Sequence, residues 1–218
     1  MALDRLAQMR VSYADRGLSK RDAGADPLAL FSTWLNNAVE AEIAEPNAMA
    51  LATADESGAP SVRIVLLKKL DEAGAVFYTN YASRKGTEIA SNPRAAAVML
   101  WHDLGRQVRF EGKVEPVSDA ESDAYFASRP FGSQVSAASS PQSHPVDSRG
   151  SLEELREDVR EDVREGTAAN QLERPSQWGG FRIIIDQFEF WQGRPDRLHD
   201  RIRFVRAGSK WMVDRLAP

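Results

Sequence analysis

The chain has 218 residues, of which 42% are hydrophobic and 28% are charged, a composition typical of one soluble globular domain with its own core. It contains no cysteine and only three widely spaced histidines, which excludes thiol nucleophiles, iron–sulfur clusters and thiolate zinc sites and disfavours a histidine metal site. The net charge of −4 argues against a nucleic-acid-binding domain, and the lack of long apolar runs argues against membrane insertion and secretion, so we expect a cytoplasmic protein.

Residues 1–24 are polar and rich in arginine, and they predict an arm with a short helix around Arg5 to Tyr13. Residues 25–218 would form the main domain. Asp26 is a predicted N-cap, and Pro27 suits the first position of the helix that follows. Apolar residues at helical spacing continue this helix to about Pro46, where proline ends it.

Five short runs of β-branched or alternating residues come next, separated by Gly, Pro, Asn and Asp, and they predict an antiparallel meander or barrel. The predicted strands are Ala48 to Thr53, Ser61 to Leu70, Ala75 to Thr79, Ala95 to Trp101 and Gln107 to Val117. The last strand is the clearest. Its Val108, Phe110 and Val114 share one face, while polar side chains occupy the other face.

Two capping boxes predict helices in the second half of the chain. Ser118 with Glu121 begins a helix to Ser128, and Ser151 with Glu154 begins an amphipathic helix to about Gly166. The small and polar stretch 133–150 between them predicts a loop. Three further strands are predicted: Phe181 to Trp191, Ile202 to Val205 and Trp211 to Leu216.

The sequence lacks the glycine-rich nucleotide-binding motifs, the hydrolase nucleophile motif and the zincin motif, so a bound phosphate must be held in another way. The segment 83–86 offers one. Ser83 is predicted to cap a short helix toward Ile89, which brings free backbone N–H groups together with the cations Arg84 and Lys85. Two cations exposed to solvent in a turn explain the pattern equally well.

Arg63 and Lys68 interrupt a run that is apolar enough for a central strand. A buried charge needs a partner, which is either an anionic ligand or an acidic side chain from another strand. A second donor cluster is predicted at a helix end, where Tyr125, Arg129 and Ser133 lie close in sequence. The segment 191–201 holds three arginines, a tryptophan and a histidine, and it forms either a loop over a site or a charged hairpin turn.

Six ordered motifs and the C-terminal DRLAP resemble the pyridoxamine 5′-phosphate oxidase family. The motifs are RIVLLK at 63–68, FYTNYASRKG at 77–86, RQVRFEG at 106–112, YFASRPFGSQ at 125–134, WGGFR at 178–182 and FWQGRPDRLHDR at 190–201. The resemblance runs from about Met9 to Pro218. It implies a mainly β protein with flanking helices, the FMN-binding split β-barrel, which forms a homodimer with FMN at the subunit interface.

The resemblance implies which residues bind FMN. The phosphate would be held by Arg63, Arg84 and Lys85. The isoalloxazine and ribityl groups would contact residues of both subunits, namely Ile64, Val65, Leu66, Leu67, Lys68, Tyr78, Thr79, Gln107, Gln142 and Ser143, with Trp191 and Arg201 of the partner subunit. The loop from Ser136 to Pro141 departs from the family pattern because it lacks an aromatic residue after Ala137.

The resemblance also implies a substrate site without a metal. The substrate phosphate would be bound by Lys68, Tyr125, Arg129 and Ser133. Arg197 and His199 match the catalytic pair that lies against the pyridine ring and its C4′ substituent. Arg10 and Tyr13 match a mobile arm that covers the bound substrate.

The implied reaction oxidises pyridoxine 5′-phosphate or pyridoxamine 5′-phosphate at C4′ to pyridoxal 5′-phosphate. Hydride passes to N5 of FMN, O2 reoxidises the flavin to give H2O2, and the amine substrate also releases ammonia. Two alternatives remain. One is an oxidase of the same fold that acts on a phenazine precursor, which carries no phosphate; the other is a carrier of flavin or pyridoxal phosphate without O2-dependent turnover.

Overall fold

The computed structural model describes residue 13, residues 17–166 and residues 172–218. Arg10 and almost all of the helix expected at 5–13 lie outside the described residues. The six helices are α1 (Lys20–Ala23), α2 (Pro27–Glu40), α3 (Arg84–Ser91), α4 (Asp119–Ser128), α5 (Phe131–Ser139) and α6 (Arg149–Gly166) within those ranges.

The same ranges contain nine strands and two short 3-10 helices, His102–Leu104 and Pro195–Arg197. The strands are β1 (Ala48–Ala54), β2 (Pro60–Leu66), β3 (Lys69–Asp71), β4 (Gly74–Asn80), β5 (Arg94–Trp101), β6 (Arg106–Pro116), β7 (Trp178–Gln192), β8 (Asp200–Ala207) and β9 (Lys210–Leu216). Every strand predicted from the sequence is present, but the run expected at 61–70 forms two strands, β2 and β3.

The chain divides into two compact units. Unit 1 comprises Met1–Asn47, Val98–Phe110 and Asp186–Pro218, and unit 2 comprises Ala48–Ala97 and Glu111–Ile185. Strands β5, β6 and β7 each contribute residues to both units.

In unit 2 the strand order is β2-β1-β5-β6-β7-β4-β3. The pairs β1/β2, β3/β4 and β4/β7 are antiparallel, with Leu51 opposite Arg63 and Tyr78 opposite Gly180. The sheet is not closed, since β2 and β3 lie at its two ends. The expectation of a central strand at 63–68 is therefore wrong: β2 is an edge strand whose Val62 and Ile64 are 68% and 66% exposed.

In unit 1 the last part of β7 pairs with β8, and β8 pairs with β9, both antiparallel. Helix α2 packs on this hairpin through Trp34, whose ring lies edge-on to Phe190 at 5.3 Å between centroids. Phe188, Phe204 and Ile202 complete a core that excludes solvent. Burial of these large side chains is the main source of stability here.

Helix α2 begins as predicted and ends earlier. The Asp26 carboxylate accepts the Leu28 N–H at 2.9 Å, and Pro27 occupies the first helical position. The helix ends at Glu40 rather than near Pro46, because Glu42 and Glu45 adopt the left-handed backbone conformation, with φ of 53° and 47°.

The loop predicted at 133–150 is wrong over its first part, which belongs to helix α5. Val135 and Ala137 are buried on the inner side of this helix. Burial of one helical face outweighs the weak intrinsic preference of the small polar residues. The start of α6 is also shifted: the Ser148 hydroxyl accepts the Ser151 N–H at 3.1 Å, so Ser148 rather than Ser151 caps the helix.

Within the described ranges, no helix has the length and apolar character needed to cross a bilayer. The described methionines differ in their surroundings. Met49 and Met99 are fully buried in the core, whereas Met212 on β9 is 57% exposed.

Candidate functional site

A cavity of about 840 Å³ opens in unit 2 beside the edge strand β2. Its walls come from β2, β4, the first turn of α3, the junction of α4 and α5, and the segment after α5. It gathers most of the residues predicted from the sequence, namely Arg63, Ile64, Val65, Leu66, Lys68, Tyr78, Thr79, Arg84, Lys85, Tyr125, Arg129, Ser133, Gln142 and Ser143. Leu67 does not belong to this lining and is buried in the core.

One end of the cavity lies at the N-terminus of α3. The Ser83 hydroxyl accepts the Gly86 N–H at 3.4 Å and thereby caps the helix, as predicted. Gly86 is required at this close approach, because a Cβ there would lie 2.1 Å from the carbonyl oxygen of Tyr81. The tight turn holds Arg84 and Lys85 at the first two helical positions, where the helix dipole favours an anion.

Lys85 is a buried cation surrounded by neutral oxygen atoms. Its Nζ donates to Thr79 Oγ1 at 3.0 Å, to Ser83 Oγ at 3.3 Å and to Gln142 Oε1 at 3.3 Å. Burial, helped by the nearby Arg63 charge, lowers the pKa of Lys85 to about 8. The contact with Gln142 shows that this residue reaches the anion end despite the unusual loop before it.

Arg63 has an acidic partner, although it comes from a helix rather than from another strand. Its Nη2 lies 3.3 Å from Glu88 Oε2, and its Nη1 donates to the Leu51 carbonyl at 3.2 Å and to Thr53 Oγ1 at 2.5 Å. Arg84 Nε donates to the other oxygen of Glu88 at 2.8 Å. Three cations and one carboxylate thus leave this end of the cavity with a net positive charge of two.

That charge fits a phosphate dianion, because it comes with hydrogen-bond donors on two guanidinium groups, an ammonium group and the first turn of a helix. The chemistry of this donor set is therefore compatible with the phosphate of a flavin mononucleotide. Sequence reasoning missed Glu88. Its position four residues after Arg84 on a predicted helix is the signal that could have shown the pairing.

The other end of the cavity carries three nearly parallel aromatic rings. The rings of Tyr78 and Tyr125 stack with centroids 3.8 Å apart, and Trp178 lies 5.6 Å from Tyr78 at an interplanar angle of 13°. Burial first, and then the neighbouring Glu121 carboxylate, raises the pKa of Tyr78 to about 12, so its hydroxyl remains a hydrogen-bond donor near neutral pH.

Arg129 completes this aromatic end. Its guanidinium carbon lies 4.7 Å from the Trp178 ring centroid, a cation–π contact. Its Nη1 is buried and has no hydrogen-bond partner among the described residues. Because a buried charged donor without a partner is costly, this atom indicates a place for an anionic ligand.

Ser133 and Lys68 also reach the cavity, but by different routes. Ser133 lies in the first turn of α5, and the N-cap residue Pro130 provides no side-chain acceptor for that turn. Lys68 follows β2 with an exposed side chain. Both therefore present hydrogen-bond donors to the cavity.

A separate aromatic cluster in unit 1 contains three more of the predicted residues. Tyr13 packs edge-on against Trp191 at 5.4 Å and against His199 at 5.7 Å, and the rings of Trp191 and His199 are 4.7 Å apart. Nδ1 of His199 accepts the Arg194 N–H at 3.1 Å. When this ring is neutral, its proton therefore lies on Nε2.

Two glycines make room for Tyr13. A Cβ on Gly193 would lie 2.5 Å from Cδ1 of the Tyr13 ring, and a Cβ on Gly105 would lie 2.8 Å from the same atom. The Gly193 N–H donates to the Gly105 carbonyl at 2.7 Å, which holds the two together. The position of the Tyr13 ring therefore depends on both glycines.

The other predicted residues of unit 1 lie on β6, β8 and the preceding turn. Arg197 is exposed and adopts a positive φ of 61°. Arg201 donates to the buried Glu189 at 2.8 Å and to the Ala217 carbonyl at 2.9 Å, and Gln107 is half-buried on β6. In the part of the chain that the structure describes, no group of three or more potential ligand side chains is arranged to hold a metal ion.

Two family models match the chain. The model described as pyridoxamine 5′-phosphate oxidase matches residues 35–161, and the model described as the pyridoxine 5′-phosphate oxidase C-terminal dimerisation region matches residues 178–218. Together they cover the cavity of unit 2 and, of the aromatic cluster in unit 1, Trp191 and His199 but not Tyr13.

Curated relatives match over the full length. A pyridoxine/pyridoxamine 5′-phosphate oxidase of Cupriavidus necator is 50% identical over 217 residues, which are 99% of this chain and 100% of the relative. A protein with the same name from Burkholderia ambifaria is 48% identical and covers 98% of this chain and 99% of its own length.

Solved structures share the fold. PhzG of Burkholderia lata, solved in complex with tetrahydrophenazine-1-carboxylic acid, superposes with a TM-score of 0.85 at 30% identity, over 95% of this chain and 100% of that chain. A pyridoxamine 5′-phosphate oxidase-related, FMN-binding protein of Nostoc punctiforme has a TM-score of 0.69 at 16% identity, over 87% and 96% of the two chains. The predicted split-barrel fold, mainly antiparallel sheet with flanking helices, is confirmed.

Proposed function

Because the chain belongs to the pyridoxamine 5′-phosphate oxidase family of vitamin B6 metabolism, we propose that it is an FMN-dependent oxidase that forms pyridoxal 5′-phosphate. Its substrates are pyridoxine 5′-phosphate and pyridoxamine 5′-phosphate, and O2 is the electron acceptor. The enzyme works in the cytoplasm as a homodimer, in agreement with the match of residues 178–218 to a dimerisation region.

The observation that carries this proposal is a single cavity lined by two groups of cationic side chains, which we take as two anion sites. Arg63, Arg84 and Lys85 form one of them, and Arg129, with its unpartnered Nη1, forms the other. FMN carries one phosphate and the B6 substrate carries another. A cavity of about 840 Å³ is in the range of cavities that hold small molecules of this size.

The residues of the cavity fit FMN at its phosphate end and the substrate at its aromatic end. Bound FMN would supply the redox chemistry, accepting a hydride from C4′ of the substrate and passing two electrons to O2 to give H2O2. The protein itself binds the substrate and orients its reacting carbon. Arg129 and Ser133 hold the substrate phosphate, and binding energy at this remote group fixes the position of the reacting carbon.

Arg197 and His199 are proposed to complete the site from the partner subunit, together with Trp191 and Arg201. His199 is held by its Nδ1 contact, so its Nε2 is the atom available to the substrate. The amine substrate leaves the oxidation step as an imine, and hydrolysis of the imine by water releases ammonia. Residues 1–24 remain the proposed arm, of which Tyr13 and residues 17–24 lie within the described residues.

One alternative function has a specific observation in its favour. PhzG, which was solved in complex with a tricyclic carboxylic acid, has a similar structure. A tricyclic carboxylic acid lacks a phosphate, however, and would offer Arg129 a singly charged carboxylate in place of the phosphate dianion. The higher identity to the curated B6 oxidases, 50% against 30%, also favours the B6 substrate.

The decisive experiment is aerobic turnover of the FMN-loaded protein with each B6 substrate, with pyridoxal 5′-phosphate and H2O2 measured together. We expect the two products in equal amounts. Tetrahydrophenazine-1-carboxylic acid serves as the competing substrate in a parallel assay. If neither B6 phosphate gives product while FMN remains bound, the proposed activity is wrong, and turnover of the tricyclic acid would then assign the alternative.

A further inference from the structure

One carboxylate holds two of the cations at the anion end of the cavity. Glu88 lies on α3, one turn after Arg84, and its side chain is 5% exposed. Its Oε1 accepts Arg84 Nε at 2.8 Å, and its Oε2 lies 3.3 Å from Arg63 Nη2. Glu88 itself does not belong to the cavity lining, whereas both arginines do.

The carboxylate is fixed by more than its two ion pairs. Ser61 Oγ donates to Oε2 at 2.6 Å, and Thr53 Oγ1 donates to the same oxygen. Burial raises the pKa of Glu88, but hydrogen bonds from these two hydroxyls and the two guanidinium groups outweigh burial and hold the pKa at about 2. Glu88 is therefore a rigid, permanently charged acceptor near neutral pH.

This arrangement controls how the arginines can meet a ligand. Only the Nε atom of Arg84 donates to Glu88. Neither Nη atom has a partner among the residues described, so both can donate to a ligand in the cavity. The Arg84 side chain is 63% exposed, and without Glu88 it would lose its anchor and sample several rotamers. The hydrogen bonds of Lys85 go to Thr79, Ser83 and Gln142 and do not involve Glu88. The Glu88 charge acts on Lys85 only at longer range, where it raises the pKa of the ammonium group against the larger lowering by burial and Arg63.

We propose that Glu88 is a positioning residue that holds Arg63 and Arg84 ready for the flavin phosphate, and so makes the site prefer FMN to riboflavin. This inference rests on the proposed function, since it takes FMN as the ligand. Both carboxylate oxygens are occupied by donors, so the negative charge faces the arginines rather than the ligand. Preorganisation of the two guanidinium groups therefore outweighs the repulsion between Glu88 and the phosphate.

The test compares the affinity of the apoprotein for FMN and for riboflavin, followed by quenching of flavin fluorescence. Glu88→Ala should weaken FMN binding by about tenfold and change riboflavin binding by less than about twofold. Glu88→Gln should lie between the wild type and Glu88→Ala, because an amide oxygen can still accept one arginine. Glu153→Ala is the matched control, since Glu153 pairs with Arg149 four residues away on the exposed α6.

Three results would overturn the role of Glu88: equal losses for the two flavins, unchanged affinities, or tighter FMN binding in Glu88→Gln, which would mean that the carboxylate only repels the phosphate. If Glu88→Ala does not fold, the same comparison is made with Glu88→Gln. Arg84→Ala combined with Lys85→Ala separates this inference from the proposed function. Unchanged FMN affinity in that double variant would rule out the phosphate site itself. A strong loss of affinity in the double variant, with wild-type affinity in the Glu88 variants, would reject only the inference about Glu88.

Discussion

The ammonium group of Lys85 is buried and makes no direct hydrogen bond to a carboxylate. All three hydrogen-bond partners of its ammonium group are neutral oxygens. The pKa of about 8 means that the free protein loses this charge just above neutral pH. The buried charge also costs stability below about pH 8, and this cost is relieved as the pH rises from about 8 toward the ordinary value of 10.5, so the free energy of unfolding rises across that window.

FMN binding should therefore depend on pH through Lys85. We expect a constant dissociation constant between pH 6.5 and 7.5 and a rise approaching about tenfold per pH unit above pH 8, because the phosphate binds the protonated form. The phosphate remains a dianion over this range, since its second pKa is about 6. The dissociation constant is measured by flavin fluorescence from pH 6.5 to 9, with riboflavin and Lys85→Arg as flat controls. A flat profile for FMN in the wild type would contradict the assignment of Lys85 to the phosphate.

Arg197 offers a second test at the residue scale. Arg197→Met removes the guanidinium group that we place against the substrate ring and leaves the cavity of unit 2 unchanged. We expect wild-type FMN content and a loss of about 100-fold in kcat/KM for pyridoxine 5′-phosphate. Arg197→Lys keeps a charge but not the planar group and should recover only part of the activity. Wild-type kcat/KM in Arg197→Met would remove this residue from the site.

At the scale of elements, the helices that begin with an N-cap residue could be predicted from the sequence. Asp26 with Pro27, Ser83 and Ser118 each mark the start of a helix, and each caps the helix that the structure shows. Helix α5 has no such signal, because its N-cap Pro130 makes no side-chain hydrogen bond and its sequence is rich in Ser and Ala. Its existence follows from packing, which the local sequence does not encode.

The edge position of β2 was unpredictable for a related reason. An apolar run such as 62–67 is typical of a strand with two neighbours, yet β2 has its only partner in β1 within the described sheet. Val62 and Ile64 on this edge strand are 68% and 66% exposed. Family resemblance gave the residues of the cavity, but not the Glu88 network that orders them.

The packing of the Tyr13 ring against Gly193 provides a test at the same scale. Gly193→Ala should displace the Tyr13 ring, and we expect KM for pyridoxine 5′-phosphate to rise about fivefold with little change in kcat, because Tyr13 is proposed to cover bound substrate. In a Tyr13→Ala background, the same change should have an effect below about twofold. Gly150→Ala on α6 is the control, since its Cβ would meet only Ser148 Oγ at 3.4 Å. Additive effects of the two changes would show that Gly193 acts elsewhere.

At the scale of the whole molecule, the residues that the family resemblance implies for the site are divided between the two units. The cavity of unit 2 holds the two anion sites, whereas Trp191, Arg197, His199 and Arg201 belong to unit 1. Sequence spacing cannot show whether such groups meet within one chain or across two chains. The match of residues 178–218 to a dimerisation region supports the second possibility.

The dimer can be tested at the exposed edge of the sheet. Ile64 is 66% exposed and lines the cavity that, by the family resemblance, lies at the subunit interface. Ile64→Lys would place a charge without a partner there. We expect the apoprotein variant to shift from dimer to monomer by size-exclusion chromatography with light scattering. Val146→Lys is the control, because Val146 is 41% exposed and lies outside both β2 and the dimerisation region. An unchanged dimer mass for Ile64→Lys would place the interface elsewhere.

The exposure of each methionine determines where the H2O2 produced by the proposed reaction can oxidise this protein. The proposed reaction releases one H2O2 per turnover, and the chain has no thiol to be oxidised. Among the described thioethers, those of Met49 and Met99 are sealed in the core, whereas Met212 faces solvent. Among the described methionines, sulfoxide formation should therefore concentrate at Met212, where a polar oxygen costs little packing, and oxidation by the product should leave the described core intact.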